Sequence, residues 1–109
     1  DFRTGRVEGI TQPRFQEGGF DDFRRWVDAR VRKPEELALS GIKSRVIHQI
    51  CIDTLGQLTI VRLLQSPDRT LTAETERVLR ASPRWTPGER DGKKVAVTYW
   101  IAVDFRTRN

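Results

Sequence analysis

Cysteine and histidine are almost missing from this sequence of 109 residues, in which Cys51 and His48 are the single representatives of their types. One cysteine cannot form an intrachain disulfide, so the count indicates neither an oxidising nor a reducing compartment. A zinc site needs several Cys or His ligands, and two in the whole chain are too few. We therefore expect neither a metal nor another cofactor.

Methionine and long apolar runs are also absent. No apolar run approaches the roughly 18 residues of a membrane-spanning helix, so the sequence as given reads as soluble. It has no signal peptide or start methionine, and we expect a mature product or a segment excised from a longer protein. Hydrophobic residues make up 37% and charged residues 32%, which favours a single globular domain with a modest core.

Basic residues exceed acidic ones, with 20 Lys and Arg against 15 Asp and Glu and a formal net charge of +5. Such an excess is compatible with nucleic acid, with an anionic membrane surface or with an acidic protein partner. Most of the basic residues are arginines, and they are scattered along the chain. An ordinary solvated surface therefore explains them best.

Apolar residues recur at helical spacing in two segments. The first begins after Gly19 and ends before Pro34, because proline lacks an N–H donor and clashes with the preceding turn. The second lies within residues 66–83, where Thr70 or Thr72 is expected to cap the helix start. The stripes consist of Phe20, Phe23, Val27 and Val31 in the first helix and Leu71, Thr75, Val78 and Leu79 in the second.

Three segments have the composition and the alternation of strands: residues 45–53, 57–66 and 95–105. A turn signal at residues 53–56 joins the first two in a predicted hairpin. The third alternates most regularly. One of its faces holds Val95, Val97, Tyr99, Ile101, Val103 and Phe105, and the other holds Ala96, Thr98, Trp100, Ala102 and Asp104.

The predicted order helix, strand, strand, helix, strand indicates the α+β class. We expect a two-layer sandwich in which two helices cover one face of a three-stranded antiparallel sheet. Residues 1–12 are read as a lead-in and residues 13–109 as the domain, with a Pro- and Gly-containing loop at residues 84–94. Because the last strand follows a helical crossover, we expect it at an edge of the sheet.

The sequence offers little for catalysis. His48 and Cys51 are three residues apart in one predicted strand, so their side chains lie on opposite faces and cannot act as base and nucleophile. His48 is expected to pack in the core. Adjacent carboxylates such as Asp21 and Asp22 fall on predicted helix surfaces, and the doubled glycine before the first helix lacks a Walker lysine. We therefore expect no enzyme.

The tryptophans are expected to differ in exposure. Trp85 lies between two prolines and is predicted to plug the core, and Trp26 flanks the first helical stripe and is predicted to pack in the same way. Trp100 lies on the strand face opposite the core. It is the candidate for an exposed aromatic residue.

A known family shows the following segments in this order and with these gaps: "PRFQEGGFDDFRRWV", Pro34, "GIKSRVIHQICID", Gly56, Ser66, "LTAETERVLRASPRWTPG", Gly92 and "VAVTYWIAVDF". The chain resembles the C-terminal periplasmic domain of TonB, the energy transducer of Gram-negative bacteria. The opening at Pro13, Phe15, Gly18 and Gly19 is most similar to Bacteroidetes-like members. Where enterobacterial members carry Gln-Pro-Gln-Tyr-Pro, residues 30–34 of this chain retain only the proline.

The resemblance implies a periplasmic domain of an inner-membrane-anchored protein, driven through an N-terminal region by a motor of ExbB and ExbD type. It implies that the last strand pairs with the TonB box of outer-membrane transporters and transmits force for uptake. An edge strand suits this role, because its unpaired N–H and C=O groups can bind an extended peptide. The implied peptide-binding residues are Val97, Thr98, Tyr99, Trp100, Ile101, Ala102 and Val103, with Arg32, Lys33 and Pro34 as candidate auxiliary contacts.

Two other functions stay open at this stage. The same domain occurs fused to other periplasmic or membrane-receptor proteins, where it would serve as an interaction module. A basic nucleic-acid-binding module would need clustered Lys and Arg with stacking aromatics on one sheet face, and Trp100 alone is a poor platform, so we expect no nucleic acid partner. Because free edges can pair with a second copy, a homodimer is a further expectation.

Overall fold

The computed structural model describes residues 10–32 and 44–105. Within these residues, two helices, α1 (Phe20–Arg30) and α2 (Arg69–Arg80), accompany six strands. The strands are β1 (Ile10–Thr11), β2 (Ser44–Ile52), β3 (Leu58–Gln65), β4 (Gly88–Arg90), β5 (Lys93–Val95) and β6 (Val97–Phe105). The α+β class is confirmed.

The main sheet has the strand order β3, β2, β6, and both pairings are antiparallel. β2 is rich in β-branched residues, and alternate side chains from Val46 to Ile52 are buried, as expected of a central strand with one core face. The predicted hairpin between β2 and β3 is confirmed. Gly56 turns it at a φ of 81°, and a side chain there would collide with the Trp85 carbonyl oxygen, 1.9 Å from the position of an added Cβ.

Both helices contribute buried side chains to one core with the main sheet. Phe23 and Val27 come from α1, while Leu71, Val78 and Leu79 come from α2. The sheet contributes the fully buried residues Val46, Ile50, Ile52, Ile101, Val103 and Phe105. The helical stripes read from the sequence therefore face the core.

Aromatic side chains fill the end of the core near β1. Trp85 is 2% exposed and donates its indole N–H to Ser82 Oγ at 3.0 Å, so its predicted role as a core plug is confirmed. Trp26 is partly buried beside it. The members of this cluster are Phe15, Phe20, Phe23, Trp26, Trp85 and Tyr99, with neighbouring ring centroids 4.5 to 6.2 Å apart.

A second, smaller sheet with the order β1, β4, β5 was not predicted. The segment read as a loop at residues 84–94 contains the hairpin of β4 and β5, whose two-residue turn places Asp91 and Gly92 at φ values of 50° and 78°. Positive φ at both positions is what a tight hairpin turn requires, and Asp-Gly is a preferred pair for it. The expected single strand over residues 95–105 is likewise divided, because Val95 pairs with Gly88 of β4 whereas Val97 pairs with Ile52 of β2.

The start of α2 also differs from the prediction. Asp68, rather than Thr70 or Thr72, is the capping residue, and its carboxylate accepts the Leu71 N–H at 2.9 Å. All three residues have a suitable side chain. The backbone turns into the helix one residue after Asp68, so that its carboxylate reaches the unpaired N–H groups of the first turn.

Candidate functional site: the outer edge of the last strand

β6 lies at one edge of the main sheet, as predicted. All nine of its residues have a register partner on β2, from Ile52 opposite Val97 to Ser44 opposite Phe105, without an irregularity. Within residues 10–32 and 44–105, no strand pairs with the opposite side of β6. That side is called the outer edge below, and it is a straight row of main-chain donors and acceptors.

The hairpin determines which residues of β6 direct their backbone groups to the outer edge. The Asp53 N–H donates to the Gln57 carbonyl at 3.0 Å across the β2–β3 turn, so Asp53 faces β3. Backbone directions alternate along a strand, so Ile52, Ile50 and every second residue before them face β6. Their register partners on β6 face back toward β2. The residues between those partners therefore direct N–H and C=O outward: Thr98, Trp100, Ala102 and Asp104.

The same alternation separates the side chains of β6. Ile101, Val103 and Phe105 are buried, and Val97 and Tyr99 are half-buried on the core face. The four residues with outward backbone groups all place their side chains on the other face, called the open face below. Trp100 is 67% exposed there, which confirms the expectation that it lies opposite the core.

The open face continues onto the other strands of the main sheet. Trp100 lies opposite Gln49 of β2, which accepts a hydrogen bond from Arg62 Nε of β3 at 2.9 Å. Farther along, Arg45 Nε donates to Asp104 Oδ1 at 2.8 Å, and this hydrogen bond raises the pKa of Arg45. Trp100 thus lies beside a polar neighbour, and the side chains of Thr98 and Trp100 are both exposed.

The core face of β6 is held in place near Tyr99. Its ring stacks on Phe20 of α1 with centroids 4.5 Å apart, and its hydroxyl donates to Gln12 Oε1 at 3.2 Å. Burial raises the pKa of this phenol. Contacts from α1 and from the segment after β1 therefore fix the strand from one side and leave its open face uncovered by them.

The implied site residues fall into three groups. Thr98, Trp100 and Ala102 combine outward backbone groups with open-face side chains, whereas the remaining members of β6 offer only a core-face side chain. Arg32 lies beside α2, where its backbone N–H donates to Glu74 Oε2 at 2.6 Å. Lys33 and Pro34 lie outside the described residues. Asp104 was missed, although the alternation that selects Trp100 and Ala102 selects it as well.

His48 and Cys51 lie on opposite faces of β2, as predicted. His48 is fully buried with its Nε2 atom 3.2 Å from Glu76 Oε2, while Cys51 is half-buried on the open face. Neither residue can assist the other chemically. Among the residues that the structure describes, no group of three His, Cys, Asp or Glu side chains is placed to hold a metal ion.

These features define a class of protein: a small α+β domain that presents a long, regular terminal strand at the edge of its sheet. The sequence model of the Gram-negative bacterial TonB protein C-terminal family matches residues 30–107. The chain belongs to this family. No curated protein shows significant similarity to the chain. The Bacteroidetes-like subgroup stays a prediction.

As a member of this family, the chain is a periplasmic domain of TonB type. None of the described helices has both the length and the apolar character needed to cross a bilayer.

Proposed function

We propose that this domain binds the TonB box of outer-membrane transporters by adding it as a strand to the outer edge of β6. The observation that carries the proposal is the uninterrupted pairing of β6 with β2 on one side and its unpaired outer edge, within the described residues, on the other. An extended peptide can satisfy such an edge through its own backbone. The functional unit comprises residues 13–109 and has no catalytic role.

The outward residues of β6 supply the binding groups. Thr98, Trp100 and Ala102 each offer one N–H and one C=O, and each hydrogen bond that forms contributes about 0.5–1.5 kcal/mol. Because backbone bonds are independent of side chains, they allow one domain to bind several transporters. The exposed Trp100 ring adds side-chain selectivity on the open face.

The same arrangement suits force transmission. A pull along an added strand loads its ladder bonds together in shear, so a small interface can carry the load. In this proposal the domain is periplasmic, an N-terminal region anchors it in the inner membrane, and a motor of ExbB and ExbD type acts through that region. Arg32, Lys33 and Pro34 are auxiliary contacts, and self-pairing through β6 gives a homodimer when no peptide is bound.

An NMR titration tests the binding mode. The probes are synthetic N-terminal segments of the outer-membrane transporters from the organism that encodes this chain. We expect a binding segment to shift the amide signals of Thr98, Trp100 and Ala102 most strongly and to slow their hydrogen exchange. Shifts confined to α1, α2 or β3 would overturn strand addition to β6.

A further inference from the structure

β5 and β6 follow one another with one residue between them. β5 forms the edge of the small sheet and β6 forms an edge of the main sheet. Ala96, which joins them, is exposed. The question is whether the two unpaired edges face the same way, since a bound peptide could then run along both.

The two-residue turn between β4 and β5 determines which residues of β5 direct their backbone groups to β4. In a two-residue hairpin the residues that flank the turn are hydrogen-bonded to each other, so Lys93 directs its backbone groups to Arg90 of β4. Val95, two residues later, faces β4 as well. Val97 faces β2, because its register partner Ile52 directs its backbone groups to β6. The residues that face inward are thus odd-numbered on both strands.

Side-chain exposure follows the same parity across Ala96. Lys94, Ala96 and Thr98 are exposed, whereas Val95 and Val97 between them are half-buried. The extended conformation therefore continues from β5 to β6, with β4 and β2 end to end on the same side. Gly88 suits this close junction, because an added Cβ would lie 3.0 Å from Val97 Cγ2 and 3.0 Å from the Thr11 carbonyl oxygen, so that these neighbours would have to shift.

The result is one outer edge that runs from Lys94 to Asp104. Its outward backbone groups belong to Lys94, Ala96, Thr98, Trp100, Ala102 and Asp104. The charges at its two ends differ. Lys93 and Lys94 occupy one end, whereas Asp104, paired with Arg45, occupies the other.

The lysines at the first end are available to a ligand. Lys93 lies directly opposite Arg90 in the ladder, and like charges in that arrangement repel. Lys94 lies opposite Glu89, but the described part of the chain shows no ion pair within 4.0 Å for either lysine or for Arg90. A carboxylate on an added strand would reach this end without displacing an existing partner there.

We propose that the peptide bound at β6 extends past Val97 onto β5 and carries an acidic residue there, which Lys94 recognises. This inference rests on the proposed strand addition and adds to it a ligand length, a charge and the position of that charge. At the other end, Arg45 is already paired with Asp104, so a peptide carboxylate there would have to compete with that pair.

The test uses the transporter segment that binds most tightly in the titration above. A nitroxide label on either terminus of the peptide first shows which terminus lies near Ala96, by broadening of its amide signal. Glu-Glu or Gln-Gln is then appended at that terminus and, in separate peptides, at the opposite one. Affinities for the whole 109-residue chain are measured by calorimetry at low and at physiological salt.

We expect Glu-Glu near Lys94 to tighten binding about threefold to tenfold relative to Gln-Gln at low salt, and less at physiological salt. Lys94→Gln should remove this gain. Arg69→Gln removes an equal charge from α2, which packs on β3 at the opposite edge of the main sheet, and should retain the gain. The Gln-Gln extension should still slow hydrogen exchange at Lys94 and Ala96.

An equal gain at both peptide termini, or a gain that survives Lys94→Gln, would overturn the acidic contact. Unchanged exchange at Lys94 and Ala96 would overturn the extension onto β5. In either case strand addition to β6 would stand. If no transporter segment shifts the β6 amides, the proposed function fails and this inference fails with it.

Discussion

The main sheet has two edges, and they are built differently. β6 pairs with β2 over nine consecutive residues in perfect register, whereas the pairing of β3 with β2 is irregular at two places, where Val61 and Leu64 have no register partner. Bulges twist an edge strand and interrupt its row of unpaired donors and acceptors. Of the two edges, only that of β6 presents a regular template for another chain.

The side chains of β6 are also more deeply buried than those of β3. The second half of β6 is fixed in the core by Ile101, Val103 and Phe105, all 1% exposed or less. On β3, by contrast, Val61 is 51% and Leu63 is 44% exposed. A strand can therefore be open along its backbone edge and still be held firmly, provided that one face of its side chains is buried. A strand that must bear load needs both properties.

The largest effect is expected from a substitution that removes part of the buried face of β6. Phe105→Ala removes a fully buried ring at the end of the strand and should lower the free energy of unfolding by about 3–5 kcal/mol. The matched truncation on the other edge, Leu63→Ala, removes a side chain that is already partly in water and should cost less than about 1 kcal/mol. Urea denaturation followed by tryptophan fluorescence measures both. Equal losses would mean that the two edge strands are equally anchored.

The next largest effect is expected from the loss of one outward N–H group of β6. Trp100→Pro removes an N–H that faces outward, so it spares the pairing with β2 but leaves an acceptor of the added peptide unpaired, which should weaken binding by about 2–3 kcal/mol. Trp100→Ala retains the N–H and should lose much less. Calorimetric affinities for the same transporter segment distinguish the two variants, and circular dichroism checks that both are folded. A greater loss in the alanine variant would place recognition in the indole ring instead.

Alternation in the sequence was sufficient to predict β2, β6 and the face that each buries. Alternation at Val97 to Phe105, and the shared face of Val46, Ile50 and Ile52, identify the core face of each strand. The edge position of β6 followed from chain order, since a helix separates it from the first two strands. The expectation of an exposed Trp100 depended on these two steps alone.

The features that were not predicted are those that the local residue pattern does not determine. β3 carries adjacent apolar residues, Ile60 with Val61 and Leu63 with Leu64, on both of its faces, and this pattern does not reveal where its two bulges fall. Pro87 and Gly88 suggested a loop, although Asp91 and Gly92 are a hairpin signal that could have identified β4 and β5. The division at Ala96 had no signal at all, because alternation continues through it while the pairing partner changes from β4 to β2.

The smallest effect concerns the link between the helix that packs on β6 and the helix that packs on β3. Glu74 of α2 receives hydrogen bonds from Arg77 Nε at 2.8 Å and from the Arg32 backbone N–H, while Arg77 also donates to the Arg30 carbonyl at the end of α1. The hydrogen bond from Arg77, followed by that from Arg32, holds the pKa of Glu74 below its ordinary value of 4.5.

A carboxyl group with a lowered pKa in the folded state contributes stability above its unfolded pKa, and the contribution is lost as the pH falls through the folded value. Because Arg77 is about half exposed, we expect this contribution to be below about 1 kcal/mol. Glu74→Gln should therefore reduce the loss of stability between pH 5 and pH 3, as measured by urea denaturation at each pH. Asp22→Asn is the control, since the Gly19 N–H lowers the pKa of Asp22 at the opposite end of α1, away from β3. If Glu74→Gln left the pH dependence unchanged while Asp22→Asn altered it, the Glu74 carboxylate would make no pH-dependent contribution to the link between the helices.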